Sequence, residues 1–454
     1  MSFITVNPYT EQKIKSYDFL TKEKLDAAII ENHMAFKHWK EAEFSVRSKL
    51  LNDIASSLEN DVEEHARLIT IEMGKPIKEA RGEVLKSAWA CRYYADNAKS
   101  FLQNEIIDTD HKKSFISFEP LGSIFGIMPW NFPYWQVFRY VAPSIMAGNV
   151  CLLKHALNVT GCAFKIEELI KSKTPVDNVF KTLIINNDDI ADVIADDRIK
   201  AVTFTGSDYA GSIVAKHAGE NIKKTVLELG GSDPFIVLND ADIDRCVKSA
   251  IASRFLNAGQ SCIAAKRFIV EDGIYNEFVD KIKYEMNSLV VGDPQNFETK
   301  IGPLAKEQFV DEIDSLVQSS ISKGARLLIG GGKTAGAGFF YKPTLLIDVT
   351  ENMDVFSNET FGPVLCISKV SNSDEAIRLA NQSCYGLSSS IWTQDRKLAQ
   401  SLSLKINSGA VFINSMSKSD PRLPFGGINK SGFGRELSKY GLYEFVNKKT
   451  VVIN

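Results

Sequence analysis

Residues 120–156 read PLGSIFGIMPWNFPYWQVFRYVAPSIMAGNVCLLKHA, and their pattern indicates the fold class. Residues 122–128 and 150–154 are apolar runs of strand length, and residues 135–147 between them have helical length. Arg139 is the only charge before the final lysine, but the prolines of the central turn would leave backbone groups without partners in lipid. The stretch therefore predicts a buried strand, a turn, a buried helix and a second strand, rather than a membrane span.

The same alternation of apolar runs and helical patterns continues along the chain. The part before it is mainly helical in pattern, and a second alternating series begins near Asp233. Further strands are predicted at residues 201–205, 225–229, 266–270, 326–329, 364–370 and 410–414. Strands that alternate with helices are typical of βαβ units, so the predicted fold class is α/β with mostly parallel sheets.

The composition excludes several classes of function. The 454 residues are 44% hydrophobic and 24% charged, and their number predicts two or three globular domains. The net charge of −3 lacks the excess of positive charge that is typical of proteins that bind nucleic acid or an anionic membrane. The seven cysteines form no CxxC pair and the six histidines no cluster, so we expect neither a metal site nor a disulfide framework. Since no signal-peptide pattern opens the chain, the expected location is the reducing cytoplasm.

Cys262 differs from the other cysteines in its setting. It follows Gly259, Gln260 and Ser261, between a predicted helix and a predicted strand, which favours a loop. Backbone N–H groups in such a turn can lower the pKa of a thiol and bind an oxyanion, so Cys262 is a candidate nucleophile. The alternative is a buried cysteine that packs as a small hydrophobe.

Glu228 and Asn131 are candidates for the groups that would assist a nucleophile. Glu228 lies inside an apolar run, where burial would raise the pKa of its carboxyl toward that of a general base. The alternative is a solvent-facing position on an edge strand, but Gly230 and Gly231 follow it and allow close approach by a ligand. Asn131 lies in a turn between Pro129 and Pro133, and its side-chain amide could donate to an oxyanion. The alternative is that Asn131 only stabilises the turn, where asparagine is common.

Three further residues fit a phosphate-bearing ligand. Gly206 and Ser207 stand between a predicted strand and a predicted helix, whose N-terminus can bind phosphate. The spacing is not GxGxxG and there is no Walker lysine, so a P-loop is excluded. Lys154 closes an apolar strand, and ligands of α/β sheets bind at the carboxyl ends of strands. The alternatives are that the glycine serves only packing and that Lys154 is an ordinary solvated residue at a strand end.

Together these segments resemble the aldehyde dehydrogenase superfamily over nearly the whole chain. The motifs occur in the family's order, and the 34-residue spacing from Glu228 to Cys262 is also the family's. They are PWNFPYW (129–135), LLKHA (152–156), FTGS (204–207), LELGG (227–231), GQSC (259–262), ETFGP (359–363) and PFGGINKSGFGRE (424–436). Within the superfamily, the resemblance is closest to bacterial succinate-semialdehyde dehydrogenases.

The resemblance implies an NAD(P)-dependent oxidation of an aldehyde to an acid. Cys262 would form a thiohemiacetal and then a thioester, Asn131 would stabilise the oxyanion, and Glu228 would activate water. Hydride transfer would belong to a bound NAD or NADP. The residues that it implies for cofactor binding are Trp130, Lys154, Gly206, Ser207, Gly230, Glu359 and Phe361.

The resemblance also implies a fold of three parts. A Rossmann-like cofactor domain would comprise residues 1–102 and 121–228, with 423–440 returning to it. An α/β catalytic domain would comprise residues 229–422. Residues 103–120 and 441–454 would form a small β-arm that joins subunits into a homodimer or homotetramer.

Two positions depart from the pattern of many family members. Tyr140 stands nine residues after Asn131, where many members have a lysine, so a proton relay through that position cannot be assumed. Leu157 stands where NAD-preferring members often have a glutamate that repels a 2′-phosphate. With that repulsion removed and His155 close in sequence, we expect NADP to be tolerated.

A semialdehyde substrate with a distal carboxylate needs a cation, ideally an arginine. Arg139, one helical turn past the WNFP turn, is the first candidate, and Arg422, just before LPFGG, is the second. Either could instead form a structural ion pair. Some relatives have another arginine six residues before the nucleophile, where this chain has Leu256.

Three rival interpretations stay open at this point. One is the oxidation of another small aldehyde. Another is a CoA-acylating or hydrolytic enzyme that uses the same cysteine, although Glu228 favours water as the acyl acceptor. A third is a binding or structural protein that retains the fold without catalysis, against which the intact set of Cys262, Glu228 and Asn131 argues.

Overall fold

The computed structural model describes residues 2–454, which form a mixed α/β structure. The strands are β1 (Ser2–Val6), β2 (Lys13–Asp18), β3 (Glu105–Ile107), β4 (Lys113–Pro120), β5 (Ser123–Met128), β6 (Val150–His155), β7 (Phe180–Thr182), β8 (Ile199–Thr205), β9 (Lys224–Glu228), β10 (Asp233–Val237), β11 (Ala265–Glu271), β12 (Arg326–Ile329), β13 (Thr344–Ile347), β14 (Val364–Val370), β15 (Ser388–Trp392), β16 (Ala410–Ile413), β17 (Gly432–Phe433) and β18 (Val446–Ile453).

Helices cover the sheets and supply several walls of the site. They are α1 (Lys22–Trp39), α2 (Phe44–Asn60), α3 (Val62–Met73), α4 (Ile77–Phe101), α5 (Trp135–Ala147), α6 (Thr160–Lys173), α7 (Ile190–Ala195), α8 (Asp208–Glu220), α9 (Ile243–Phe255), α10 (Asp272–Asn287), α11 (Glu307–Ser322), α12 (Asp354–Ser357), α13 (Ser373–Asn381), α14 (Arg396–Ser403) and α15 (Ser438–Tyr443).

The first large sheet has six strands in the order β17-β9-β8-β5-β6-β7. Its pairs are parallel except for β17, which returns from the far end of the chain and runs antiparallel to β9. The strand and helix predicted at residues 122–147 are confirmed as β5 and α5, and both are buried. The carboxyl ends of β5, β6, β8 and β9 lead into the predicted site residues, as expected for a parallel sheet.

The second large sheet has seven strands in the order β12-β13-β14-β11-β10-β15-β16. It is parallel apart from β12, which pairs antiparallel with β13. The predicted α/β class with mostly parallel sheets is thereby confirmed. Each large sheet has its own hydrophobic core, one built around β5, β6 and α5 and the other around β10, β11 and β14.

Two smaller sheets complete the fold. β18 pairs antiparallel with β4 from Val446 opposite Pro120 to Ile453 opposite Lys113, and β3 pairs on the other side of β4. β1 and β2 form an antiparallel hairpin that the sequence patterns did not indicate. No helix within residues 2–454 is both long enough and apolar enough to cross a membrane.

Candidate active site

A buried ion pair fixes the turn between β5 and α5. Glu83, on α4, accepts hydrogen bonds at Oε1 from the backbone N–H groups of Tyr134 (2.8 Å) and Trp135 (3.1 Å). Lys75 pairs with the Glu83 carboxylate and donates to the carbonyl oxygen of Asn131 at 2.8 Å. Both charges are buried and paired, so the pair holds the turn in one geometry. The sequence analysis did not single out either residue.

The Asn131 side chain has one defined orientation. Its Nδ2 donates to the carbonyl oxygen of Gln260 at 3.0 Å, while its Oδ1 accepts from Gln136 Nε2 at 3.0 Å. Because each end of the amide has a partner of the matching type, a flipped amide would lose both bonds. A primary amide has two N–H groups, so one donor of Asn131 remains for another acceptor.

Cys262 follows a sharply bent segment, as the sequence analysis expected for a loop. Asn257 and Ala258 have φ values of 54° and 53°, and the segment turns the chain from α9 toward β11. Lys266, at the start of β11, donates to the carbonyl oxygens of Ser261 (2.9 Å) and Cys262 (2.7 Å). These bonds fix the backbone at Cys262, and no pattern in the sequence had indicated the buried Lys266 that donates them.

The thiol of Cys262 is distinct among the seven cysteines. Five are buried and Cys384 is exposed, whereas Cys262 is half-buried in the wall of two cavities. Burial raises the pKa of the Cys262 thiol to about 12, although the nearby Arg139 and Lys266 act in the opposite direction. The thiol of the protein without ligand is therefore the protonated form at neutral pH, and it needs a base or a bound cation to ionise.

Two cavities meet at Cys262, and Gln136 also lines both. One, which we call the cleft, has a volume of about 410 Å³. Its lining residues come from β8, α5, α11 and the loops between elements, and they are Pro129, Trp130, Asn131, Gln136, Thr205, Gly206, Ser207, Leu229, Gly230, Cys262, Phe309, Glu312, Glu359 and Phe361. The other, which we call the chamber, has a volume of about 250 Å³ and is lined chiefly by α4, α5 and residues 416–419.

The cleft contains six of the seven residues expected to bind the cofactor. Ser207 is the N-cap of α8 and accepts from the N–H of Ala210 at 3.3 Å, so the helix N-terminus opens on the cleft. A Cβ added at Gly230 would lie 2.4 Å from Glu359 Oε2, so a side chain at this position would displace that carboxylate. Trp130 stacks on Phe309 with ring centroids 4.9 Å apart and meets Phe361 edge-on at 5.9 Å.

Glu359 is held at the inner edge of the cleft. Its Oε1 accepts from the backbone N–H of Gly231 at 3.1 Å and lies 3.1 Å from Lys266 Nζ. Lys266 thus connects the cysteine backbone to the carboxylate that the resemblance assigns to the nicotinamide ribose. A bound ribose would compete with this pair for the carboxylate oxygens.

Lys154, the seventh residue, lies at the end of β6 and not in the cleft wall. Its Nζ donates to Asn187 Oδ1 at 3.0 Å, and burial lowers the pKa of its ammonium to about 8.

His155 does not offer a charge to a 2′-phosphate, in contrast to what its sequence position suggested. Both of its ring nitrogens face backbone carbonyls, those of Met128 (3.1 Å) and Pro133 (2.9 Å), and burial lowers its pKa to about 4.

Glu228 is buried, as its apolar run predicted, but its carboxyl lies in the wall of neither cavity. Neither carboxyl oxygen has a hydrogen-bond partner within residues 2–454. A Cβ added at Gly426 would lie 2.6 Å from Glu228 Oε1, so this glycine leaves room for the carboxyl. Burial, and then repulsion by Glu436, raise the pKa of Glu228 well above its usual range.

Arg139 lines the chamber and is also the partner of a buried carboxylate. Its Nε lies 2.5 Å from Glu436 Oε2, and both side chains are almost fully buried. Its guanidinium also lies over the ring of Phe425, 4.8 Å from the ring centre. Arg139 therefore contributes its charge to the chamber wall, but that charge is already compensated by Glu436.

Arg422 and Tyr140 lie away from the site. Arg422 is exposed, binds Asp420 through Nε (2.9 Å) and Nη2 (2.7 Å), and lines neither the chamber nor the cleft. The structure therefore does not bring Arg422 to the site, because its guanidinium faces Asp420 at the surface. Tyr140 is buried in the first core, where its hydroxyl donates to the carbonyl of Leu152 at 3.3 Å.

No group of three or more His, Cys, Asp or Glu side chains in residues 2–454 is arranged to hold a metal ion.

The residues around Cys262 support covalent catalysis by a thiol beside a cleft for a phosphate-bearing ligand. The thiol, the free amide donor and the glycine-lined helix N-terminus supply nucleophile, oxyanion donor and anion site in one place.

Comparisons with known proteins agree with this architecture. A protein of Synechocystis sp. named probable succinate-semialdehyde dehydrogenase (NADP+) is 47% identical over 453 residues, covering all of both chains. The succinate semialdehyde dehydrogenase (NAD(P)+) of Escherichia coli is 45% identical over 448 residues, covering 99% of this chain and 97% of its own. The crystal structure of succinic semialdehyde dehydrogenase from Streptococcus pyogenes in complex with NADP+ superposes with a TM-score of 0.97, at 38% identity and 99% coverage of each chain.

The family model that matches describes the aldehyde dehydrogenase family and extends over residues 1–451. With that match and full-length relatives above 40% identity, the chain belongs to the aldehyde dehydrogenase family.

Proposed function

We propose that this protein oxidises succinate semialdehyde to succinate, with NADP⁺ or NAD⁺ as the electron acceptor, through a covalent intermediate on Cys262. The observation that carries the proposal is the position of Cys262 in the shared wall of the cleft and the chamber, and the chamber wall also contains Arg139. The substrate named for the Synechocystis and Escherichia coli relatives supports the choice of aldehyde.

The first step is attack of the Cys262 sulfur on the aldehyde carbon, which gives a thiohemiacetal. The thiol must pass its proton to water as the carbon–sulfur bond forms, and its raised pKa makes this loss unfavourable in the protein alone. The free N–H of Asn131 donates to the oxygen that becomes negative during attack. Gln136 keeps that amide oriented, since it occupies the oxygen end of Asn131.

The dinucleotide, when bound, supplies the hydride acceptor that oxidises the thiohemiacetal to a thioester. The cleft fits such a group: the α8 N-terminus and Gly206 suit a pyrophosphate, and Gly230 leaves space that a side chain would fill. Trp130 and Phe361 supply aromatic walls, and Glu359 and Lys154 would take ribose hydroxyls. Leu157 at the position where a carboxylate would repel a 2′-phosphate, together with Lys154, supports the use of NADP⁺.

Glu228 would release the acid. Within residues 2–454 its carboxyl has no hydrogen-bond partner, and in its ionised form it would take a proton from the attacking water. The attack of that water expels the Cys262 sulfur and leaves a carboxylic acid. Arg139, in the chamber wall, would donate hydrogen bonds to an anionic substrate, and Glu436 holds the guanidinium in place.

We also propose the division of the chain that the sequence suggested. The cofactor domain would comprise 1–102 and 121–228 with 423–440, and the catalytic domain 229–422. Residues 103–120 and 441–454 would form an arm that joins subunits. Exposed apolar side chains on that arm, Ile106, Ile107, Val452 and Ile453, support a homodimer or homotetramer. Sedimentation equilibrium of the purified protein would test this.

The deciding experiment measures formation of reduced nicotinamide by the purified protein with succinate semialdehyde or butanal, each with NAD⁺ and NADP⁺. We expect turnover with succinate semialdehyde, a higher kcat/KM than with butanal, and succinate as product. Parallel assays contain coenzyme A. Turnover that depends on coenzyme A would contradict water as the acyl acceptor, and equal kcat/KM for the two aldehydes would contradict the assigned substrate.

A further inference from the structure

The segment between α9 and Cys262 has an uncommon backbone conformation. Asn257, Ala258 and Gly259 have φ values of 54°, 53° and 77°, so three consecutive residues are left-handed. Asparagine and glycine adopt this conformation readily, but alanine does so only at a cost in free energy. Such a turn persists only where its surroundings hold it, and it determines how the chain enters the loop that contains Cys262.

Hydrogen bonds hold this turn from two sides. Arg254, near the end of α9, donates to the carbonyl oxygens of Gly259 (3.1 Å) and Ala265 (3.0 Å). On the other side, Glu79 Oε2 on α4 accepts a hydrogen bond from the backbone N–H of Asn257 at 2.7 Å. Within residues 2–454 that N–H has no second acceptor. The start of the turn is therefore fixed by a helix that lies 178 residues earlier in the chain.

The side chain of Asn257 joins this turn to the residue assigned as oxyanion donor. Its Nδ2 donates to the carbonyl oxygens of Asn131 (2.9 Å) and Gln260 (3.1 Å). The Nδ2 of Asn131 donates to the same carbonyl oxygen of Gln260 at 3.0 Å. Asn257 thus bridges the turn that contains Asn131 and the loop that contains Cys262. A shift of Asn257 would therefore change how the amide and the thiol lie relative to each other.

We propose that Glu79 is a positioning residue for Cys262: its bond to Asn257 keeps the left-handed turn formed and the thiol aligned with the Asn131 amide. This inference rests on the proposed function, because it takes Cys262 as the nucleophile. Covalent attack is sensitive to displacements of about 1 Å, so a loosened turn should slow the first half of the reaction. Dinucleotide binding should not depend on Glu79, which does not line the cleft.

The hydrogen bond does not require a charge on Glu79. Burial raises the pKa of its carboxyl to about 7, while the bond from Asn257 and the charges of Lys75 and Lys300 act in the opposite direction. Near neutral pH a large share of the molecules therefore has a neutral carboxyl, whose carbonyl oxygen still accepts a hydrogen bond. The side chain of glutamine has the same oxygen, so it should replace Glu79 in this role.

The test compares Glu79→Leu with Glu79→Gln and with a matched control, Glu271→Leu. Glu271 also accepts a backbone N–H at 2.7 Å, that of Asn239, but it lies at the end of β11 and lines neither cavity. The readout is the rate of reduced nicotinamide formation in a single turnover, with saturating NADP⁺ and with succinate semialdehyde or butanal. We expect Glu79→Leu to lower this rate about 10- to 100-fold, equally for both aldehydes. Glu79→Gln and Glu271→Leu should stay within about threefold of wild type.

A second substitution tests the turn itself. Glycine adopts the left-handed conformation without the cost that alanine has, so Ala258→Gly should stabilise the turn in the absence of Glu79. We expect addition of Ala258→Gly to Glu79→Leu to raise the single-turnover rate at least about threefold. This comparison stays decisive if Glu79→Leu alone is unstable, because the glycine relieves the same turn.

Several outcomes would overturn the inference. They are an unchanged rate in Glu79→Leu, an equal fall in Glu79→Gln or Glu271→Leu, and no recovery on addition of Ala258→Gly. A fall confined to succinate semialdehyde would also overturn it, because Glu79 would then act on the substrate and not on the nucleophile. A wild-type protein that forms no reduced nicotinamide with either aldehyde would instead overturn the proposed function.

Discussion

The cleft and the chamber share Cys262 and Gln136 but are built from different parts of the chain. Part of the cleft is formed by backbone, at the N-terminus of α8, Gly206 and Gly230. The chamber is formed by side chains that project from helices and a loop, such as Lys86, Arg139 and Ser419. A binding site formed by backbone can therefore be recognised from local sequence motifs, whereas a site formed by side chains from distant elements cannot.

Removal of the shared wall residue should have the largest effect. We expect Cys262→Ala to lower aldehyde oxidation by at least about 10³-fold, because no other group can form the thioester. Dinucleotide binding, measured by isothermal titration calorimetry, should change little, since Cys262 lies at one end of the cleft. Residual turnover above a tenth of wild type would mean that another residue is the nucleophile.

Glu228→Gln tests a residue that lies outside both cavities. We expect one rapid equivalent of reduced nicotinamide and then a steady-state rate lowered about 10²- to 10⁴-fold, because deacylation loses its base. In the wild type, deacylation should speed up as pH rises, since the raised pKa keeps Glu228 protonated at lower pH. Stopped-flow absorbance measures both phases. An unchanged steady-state rate would remove Glu228 from the mechanism.

Gly230→Ala should separate the cleft from the chamber. The added methyl group would lie 2.4 Å from Glu359 Oε2 and displace that carboxylate. We expect the Kd for NADP⁺ to rise about tenfold, while the ratio of kcat/KM for succinate semialdehyde to butanal stays within about twofold. Calorimetry and steady-state kinetics give the two values. A loss of substrate preference would show that the two cavities are not independent.

Arg422→Ala should have the smallest effect. Its ion pair with Asp420 is exposed, and exposed pairs contribute about 1 kcal/mol or less. We therefore expect kcat/KM for succinate semialdehyde within about twofold of wild type. A tenfold rise in KM for succinate semialdehyde, with no change for butanal, would show that Arg422 binds the substrate.

Residue patterns predicted the parallel sheets because most strands are apolar runs. β15 escaped prediction since Ser388, Ser389 and Ser390 occupy a central buried strand, and a run of serines is typical of a loop. The hairpin of β1 and β2 was missed for a related reason: its residues are largely exposed and show no regular alternation.

The candidate site was predictable where the backbone forms it and less so elsewhere. The motifs around Ser207 and Gly230 indicated a cleft because glycines and caps have local signatures. Arg139 could not be told from a structural arginine, since its partner Glu436 is about 300 residues away in sequence and near it only in the fold. Lys86 gave no signal at all, as a lysine within a helix is usually a solvated surface residue.

Two neighbouring turns of α4 have different roles. Glu83 anchors the turn that contains Asn131, and Lys86 faces the chamber three residues later. A change at Lys86 therefore leaves the anchor of the oxyanion donor in place. Single substitutions at the chamber-facing position of α4 that follows Glu83 therefore change which substrates fit, while the catalytic residues stay in place.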